Sequence, residues 1–562
     1  MVSRNLRARL AADPQLGAGN VLVKLAEHGA DPRGPGLTFD VDVDGHPAWT
    51  PLTLGQLTER VAVRAAWLRR AGIGARDPVA VYVTSSADVF LTYFALTWLG
   101  AIPALMNGNM PVEIAADFIR RLGAVGVVTD ADHRAVSDHG PGVPILADAG
   151  ELSDGDPNEA PAHYRHHPDD PVAITHSSGT TRTPAAVVHS HGSLFAAVRA
   201  VRLTEPRPSG EVRELSALPA AHAAGVITVN QALCNRYQLL YLTAQGGPFP
   251  LSGSVVLDAI ERWRATGVFG FAVTWAELAK YDLSRRDLST IRNWSNTGDC
   301  AHEAHVRRLV EVGSHQAYTR EGLVTVRGSK FIDTIGSTEM GHGAFWIAHR
   351  LGSTRYDRCV GRPYPFADVT LFDLETGAEV PDGTVGQLGL KSPTLALGYW
   401  NDSVNTFRTR FNGYYLTGDL MYRDSEGRYY HLDRISDAVD LGGGDYLYTA
   451  LAEERILATC PGVRDCTVVA GRDPAGDIVT DVLLVLDPGE PDDLSRTESV
   501  RRALGDPGGT TLRQVKAVAD DELVLGPTGK VRKFLMRQRH LAAEGVAPSR
   551  VAAGGVPATG SP

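Results

Sequence analysis

The 562 residues include only five cysteines, at Cys234, Cys300, Cys359, Cys460 and Cys466. No pair has CxxC spacing and the count is odd, which argues against a disulfide framework and for small buried thiols in a reducing compartment. A basic excess is also missing. Acidic side chains number 65 against 55 basic ones, for a formal charge of −10, so no nucleic-acid partner is expected. The first twenty residues mix Arg, Asp and Gly without an apolar stretch, and no secretory signal is read there. Long apolar runs are equally scarce. Val89 to Met106 approaches spanning length, but Thr92, Thr97, Gly100 and Pro103 interrupt it, so it reads as a buried helix and turn. A cytoplasmic protein with no membrane partner is expected, as a monomer or homodimer.

The rest of the composition is that of a globular chain: 43% hydrophobic and 21% charged, enough to bury sizeable cores. Thr53 to Gly72 reads as a helix, with Thr53 and Gln56 at capping-box spacing and Leu57, Val61, Ala65 and Leu68 on one face. Short apolar runs at Val79–Thr84, Val125–Thr129, Ile145–Ala147, Val172–Thr175 and Val268–Val273 alternate with helical stretches. That alternation predicts an α/β fold with largely parallel sheets. The polar segment from Asp148 to Asp170 reads as a surface connection. Beyond Arg434 the texture changes to a helix at Leu451–Leu457, paired strands at Cys466–Ala470 and Val482–Asp487, and a last helix at Phe534–His540. The expected division is a large domain over 1–434, a small α+β domain over 435–542 and a disordered tail over 543–562.

Chemistry concentrates in a few segments. Ser177-Ser178-Gly179-Thr180-Thr181-Arg182 follows a predicted strand and offers hydroxyls and backbone N–H groups to anionic oxygens. It lacks the GxxxxGK[ST] pattern of a Walker loop. Gly336-Ser337-Thr338-Glu339 follows another strand-like run, and then come Tyr415-Leu416-Thr417-Gly418-Asp419, Asp433-Arg434 and Gly526-Pro527-Thr528-Gly529-Lys530.

In this order and spacing the segments resemble the core motifs of the adenylate-forming superfamily of acyl- and aryl-CoA synthetases, peptide-synthetase adenylation domains and firefly-type luciferases. Leu218-Pro219 with His222 and Gly225, Gly361-Arg362-Pro363 and Gly398-Tyr399-Trp400 extend the resemblance across about residues 45 to 540. It implies a large N-terminal AMP-binding domain of α/β subdomains with a β-barrel-like part, and a small mobile C-terminal domain. It also implies ATP-dependent activation of a carboxylic acid as acyl-adenylate, with release of pyrophosphate, then transfer to coenzyme A. An amine or a carrier-protein thiol, as in natural-product biosynthesis, is the alternative acceptor, and a non-catalytic nucleotide-binding relative is the alternative class.

The resemblance assigns roles residue by residue. Thr180 and Thr181 would hold the β- and γ-phosphates, Thr338 the α-phosphate, and Glu339 Mg²⁺, a hard cation that prefers oxygen. Asp419 would accept from both ribose hydroxyls, Arg434 would touch ribose or phosphate, and Lys530 would bridge carboxylate and α-phosphate as a mobile charge. His222, Thr274, Trp275, Gly298 and Gly341 would line the acid pocket. Rotation of the small domain about Ser436 would present Lys530 for one half-reaction only.

Three departures stand out. Ala185 occupies a position where the family usually has Lys, and Arg182 is expected to supply the missing cation. Ile335 replaces the usual adenine-stacking Tyr. Asp440 replaces a Lys six residues after Arg434, on the surface where coenzyme A would dock. His163, His166, His167, Asp169 and Asp170 cluster without regular metal-ligand spacing and read as a solvated loop.

Overall fold

A computed structural model describes residues 4–140, 142–176, 184–206, 210–243, 250–320, 322–442, 445–491, 495–524, 531 and 533–548. The expected helix forms over Leu54–Arg70. Thr53 caps it, accepting from the Gln56 N–H while the Gln56 side chain returns to the Thr53 N–H. Val89 to Met106 resolves into the buried helix Ser86–Leu99, left-handed Gly100 and the strand Ile102–Met106. No described helix is long and apolar enough to cross a membrane.

Two large sheets build the main body. In the seven-stranded sheet, Ile102–Met106, Pro78–Tyr82, Gly126–Thr129 and Ile145–Asp148 run parallel, Pro171–His176 joins them in parallel, and Ala186–Ser190 adds antiparallel. The second sheet has thirteen strands. Its first half is parallel and includes Arg213–Ser216, Gly267–Phe271, Asn293–Thr297 and Lys330–Asp333. Its second half is antiparallel, from Phe345–His349 through Cys359–Pro363, Tyr429–Arg434, Tyr414–Arg423 and Gly386–Lys391 to Asp368–Phe372. The β-barrel-like part implied by the resemblance is this antiparallel half, and the described strands leave it open rather than closed.

The Asp148–Asp170 connection runs over the surface, with His167 and Asp169 exposed, but part of it packs. His166 stacks on His191 with centroids 4.8 Å apart and gives its Nε2 to the Thr97 carbonyl. The Tyr164 ring fills the space a side chain at Gly100 would need. Aromatic rings let a polar-looking segment pack. Among the described residues no group of three or more His, Cys, Asp or Glu is placed to hold a metal ion.

The small domain is a four-stranded sheet with Ile478–Leu486 and Val463–Arg472 antiparallel, as the sequence predicts, covered by helices Thr449–Thr459, Ser495–Leu504 and Lys533–Ala543. Ordered chain continues past residue 542, since Ala547–Pro548 pair with the end of Val463–Arg472. Glu453 is the electrostatic centre of this domain. It is buried, receives Lys533 Nζ at 2.5 Å, Arg537 Nη2 at 3.3 Å and the Val468 N–H at 2.9 Å. Burial alone would raise its carboxyl, and the two cations hold it below the ordinary value of 4.5. Its contribution to stability is therefore present above that value and is lost as pH falls through the lowered one. Glu453→Ala, which strands two cations, should cost about 3–5 kcal/mol. Denaturant unfolding of the variant checks this, and an unchanged midpoint contradicts it.

Candidate functional site

The carboxyl ends of the parallel strands converge, the usual location of a ligand crevice in an α/β sheet. Gly267–Phe271 ends at Phe271, Asn293–Thr297 leads into Gly298, and Lys330–Asp333 leads into Gly336-Ser337-Thr338-Glu339. Gly336 donates its N–H to the Gly298 carbonyl at 2.9 Å, tying two of these turns together. Gly298 has φ +91 and leaves the Phe271 ring 3.5 Å from where its side chain would be. The His222 ring meets Phe271 edge-on at 5.1 Å, and His222 Nδ1 caps helix Ala223–Asn235 by accepting from Ala224. Ala224, Phe269 and Val273 keep part of their surface uncovered beside this group. His222, Phe271, Gly298 and Gly336 thus adjoin at these strand ends, and the partly exposed surface of His222, Gly298 and Gly336 is the candidate recess.

The expected pocket residues divide here. His222 and Gly298 border the recess. Gly341, with φ +70 and the Thr394 carbonyl 2.1 Å from its missing Cβ, shapes the turn after Glu339. Trp275 does not border it. Its ring is fully buried against Trp294 and Phe331 and donates to Asn296 at 2.7 Å, so it is a core residue. Thr274 is buried as well, its hydroxyl accepting from the Phe271 N–H. Helix Ala272–Ala279 starts one residue after Phe271 and turns both side chains away. The apolar run alone gave no sign of that turn.

Glu339, Asp419 and Arg434, far apart in sequence, are brought together around Tyr415. The Tyr415 hydroxyl lies in the field of Glu339, Tyr399, Arg434 and Asp419, and burial with these acids raises its pKa well above the ordinary value. Tyr399 donates to Glu339 Oε1 at 3.1 Å. Glu339 is therefore a half-buried carboxylate facing the recess, a hard oxygen donor suited to Mg²⁺. Thr338 is buried in the same turn, and its carbonyl accepts from Gly341. Ile335 is buried with Cys300, Met340 and Phe345 and presents no aromatic face.

Asp419 is the most elaborately held acid. Strands Tyr414–Arg423 and Tyr429–Arg434 pair Asp419 directly with Arg434, whose Nε lies 2.8 Å from Asp419 Oδ1. His431 Nε2 is 3.2 Å from the same oxygen. Behind it, Arg358 Nη2 donates to His431 Nδ1 at 2.6 Å and to Asp299 Oδ1 at 3.2 Å. A guanidinium only donates, so His431 Nδ1 is the acceptor and its proton sits on Nε2, pointed at Asp419. Burial alone would raise the Asp419 carboxyl, and Arg434 with His431 brings it below the ordinary value. The result is an ionised, buried carboxylate held by Arg434 and His431. Arg358 and His431 were not singled out from the sequence, because neither belongs to a short motif. Arg358 has φ +59, the one local oddity that marks it.

Ser177, Ser178, Gly179, Thr180, Thr181, Arg182 and Lys530 lie outside the described residues. Strands Pro171–His176 and Ala186–Ser190, on either side of residues 177–183 in sequence, form an antiparallel pair.

Residues 34–400 match the model of the family described as AMP-binding enzyme. The chain belongs to that family. It is an adenylate-forming ligase, and ATP-dependent activation of an acid through its adenylate is the chemistry it shares with its relatives, which pass the activated group to coenzyme A or to an amine. A 3-aminoavenalumate diazotase from a Streptomyces species is 41% identical, over 97% of this chain and 99% of its own. A feruloyl-CoA synthase from an Amycolatopsis species is 28% identical, over 76% of this chain and 82% of its own. The fold matches the anthranilate CoA ligase AuaEII bound to anthranoyl-AMP, with a TM-score of 0.78 and 20% identity over 95% of this chain and 99% of that one.

The Arg358 contact predicts one protonation pattern. In protein carrying nitrogen-labelled histidine, His431 should give the shifts of the Nε2–H tautomer, and Arg358→Met should abolish that preference. A His431 found as the Nδ1–H tautomer contradicts the assigned relay.

Proposed function

We propose that the chain is a diazotase: it activates nitrite with ATP and delivers the nitrosyl group to the amino nitrogen of an aromatic amine. One observation carries this reading, the 41% identity to a diazotase over nearly the whole of both chains. Asp440, where thiol-transferring relatives are expected to carry Lys, adds support, since a carboxylate repels the phosphates of coenzyme A.

The chemistry uses the shared site without redox change. A nitrite oxygen attacks the α-phosphorus of ATP, the bond to the β-phosphate oxygen breaks, and pyrophosphate leaves. The amine lone pair then attacks the nitrosyl nitrogen and AMP departs with its electron pair. Loss of the amine proton gives the N-nitroso compound, which rearranges to the diazohydroxide and loses hydroxide to become the diazonium ion.

On this reading Asp419 accepts the two ribose hydroxyls, which its ionised state suits. Arg434 crosses from Asp419 toward the α-phosphate. Thr338 donates to the same phosphate, and Ser177 to Arg182 cradle the departing pyrophosphate. Glu339 holds Mg²⁺, which when bound neutralises charge on the leaving group. Lys530 brings a further cation to the reacting oxygens. His222 and Phe271 flank the aromatic ring, with Gly298 leaving room for it.

A second reading keeps the carboxylate as the activated group, with coenzyme A, an amine or a carrier-protein thiol as acceptor. The resemblance to feruloyl-CoA synthase favours it. One assay separates the two. With ATP, Mg²⁺ and a panel of aminobenzoates and aminocinnamates, pyrophosphate release should require nitrite, and the product should couple with a naphthol to give an azo dye. Release that needs no nitrite, with a thioester formed when coenzyme A is added, overturns the diazotase reading.

A further inference from the structure

The chain between Gly386–Lys391 and Gly398–Tyr399 crosses from one large sheet to the other. Gly386–Lys391 belongs to the thirteen-stranded sheet, and Gly398–Tyr399 lies on the edge of the seven-stranded one, antiparallel to Ala186–Ser190. Backbone bonds sew the crossing to that edge. Leu397 donates to the Val188 carbonyl and Trp400 to that of Ala186, both at 2.8 Å. The Trp400 indole and the Asn401 amide reach further, to the carbonyls of Leu122 at 2.8 Å and Arg121 at 3.1 Å.

On its way this strap grips the turn that carries Glu339. Thr394 Oγ1 donates to the Met340 carbonyl at 2.8 Å, Ala396 donates its N–H to the Glu339 carbonyl at 2.9 Å, and the Thr394 carbonyl packs on Gly341. These contacts fix the backbone of the turn but do not aim the carboxylate.

Tyr399 aims it. Its hydroxyl donates to Glu339 Oε1 at 3.1 Å, and among the described residues it is the one hydrogen-bond donor on that carboxylate. The tyrosine is held at its base, where its N–H goes to Thr406 Oγ1 at 2.9 Å, a hydroxyl itself tied to the Asp402 carbonyl. Burial and the Glu339 charge hold the phenol above its ordinary value of 10.0, so near neutral pH it remains a donor.

Among the described residues no Lys, Arg or His forms an ion pair with Glu339. Arg434 gives its Nε to Asp419 and its Nη1 to the Thr417 carbonyl. A half-buried carboxylate with a donor on one oxygen and no protein cation suits a cation from outside the chain. Such a ligand binds best when a second group fixes its orientation beforehand.

We propose that Tyr399 is a positioning residue for the metal, its hydroxyl holding Glu339 in the orientation that Mg²⁺–ATP requires. It does so from the sheet edge paired with Ala186–Ser190, the strand that follows residues 177–183 in sequence. The proposal rests on the reading of Glu339 as the Mg²⁺ ligand, and it holds whether nitrite or a carboxylate is activated. It also divides the work within Gly398-Tyr399-Trp400: the backbone and Trp400 place the strap, and the tyrosine hydroxyl carries that placement to the metal carboxylate.

Calorimetry with α,β-methylene-ATP, which cannot release pyrophosphate, supplies the test. Nucleotide affinity is measured with and without Mg²⁺, and the ratio reports what the metal contributes. Tyr399→Phe removes one oxygen and keeps the ring. It should cut the ratio by about tenfold, the scale of losing a group that orients a metal ligand, while metal-free affinity moves less than about twofold. Glu339→Gln should cut the ratio at least as far. An unchanged ratio in Tyr399→Phe, whether both affinities hold or both fall together, overturns the proposal; a loss in Glu339→Gln then leaves the metal reading standing. A full ratio in Glu339→Gln, or a wild-type protein indifferent to Mg²⁺, overturns both.

Discussion

The pairing of Asp419 with Arg434, 2.8 Å apart across neighbouring strands, ties the candidate site to strand Tyr429–Arg434. The acid is buried and cannot stay ionised without compensation. Arg434 supplies it from the last residue of its strand, immediately before the chain enters the small domain. His431 and Arg358 supply the rest from behind. Glu339 and Tyr399 come from other elements and meet Tyr415, which shares strand Tyr414–Arg423 with Asp419.

The boundary is held from both sides. Asp433, the residue beside Arg434, accepts from the Thr449 hydroxyl at 2.9 Å and the Ala450 N–H at 3.2 Å, at the start of the small domain's first helix. Glu454, on that helix, binds His302 Nδ1 at 2.5 Å and the Glu303 N–H at 2.8 Å of the large domain. Arg455 adds an ion pair to Asp357 of the large domain at 3.1 Å. These contacts are polar. The small domain keeps its own core and its own ion network around Glu453, so rotation would not disturb its interior.

Much of this was legible in the sequence where local physics decides. The capping box at Thr53 and the parallel strands that precede the turn motifs follow from short segments whose spacing has a physical reason, and the grouping of Glu339, Asp419 and Arg434 came from the family resemblance. Other features rest on pairings over long distances that no local pattern encodes. The resemblance put Trp275 in the pocket wall, yet the immediate start of a helix after Phe271 rotates it into the core. The His-rich connection looked solvated, and His167 and Asp169 are exposed, but His166 packs on His191. Arg358 and His431 carry no motif, and their importance lies in which acids the fold sets against them.

The central claim is that the oxyanion adenylated by this ligase is nitrite rather than the substrate's own carboxylate. The oxygen that attacks the α-phosphorus stays on AMP, so isotopic labelling identifies it. With nitrite carrying heavy oxygen, mass spectrometry should find the label in the phosphate of AMP, and with the label in the carboxylate of the amino-aromatic acid it should find none. Label passing from the carboxylate into AMP, with none from nitrite, would contradict the account.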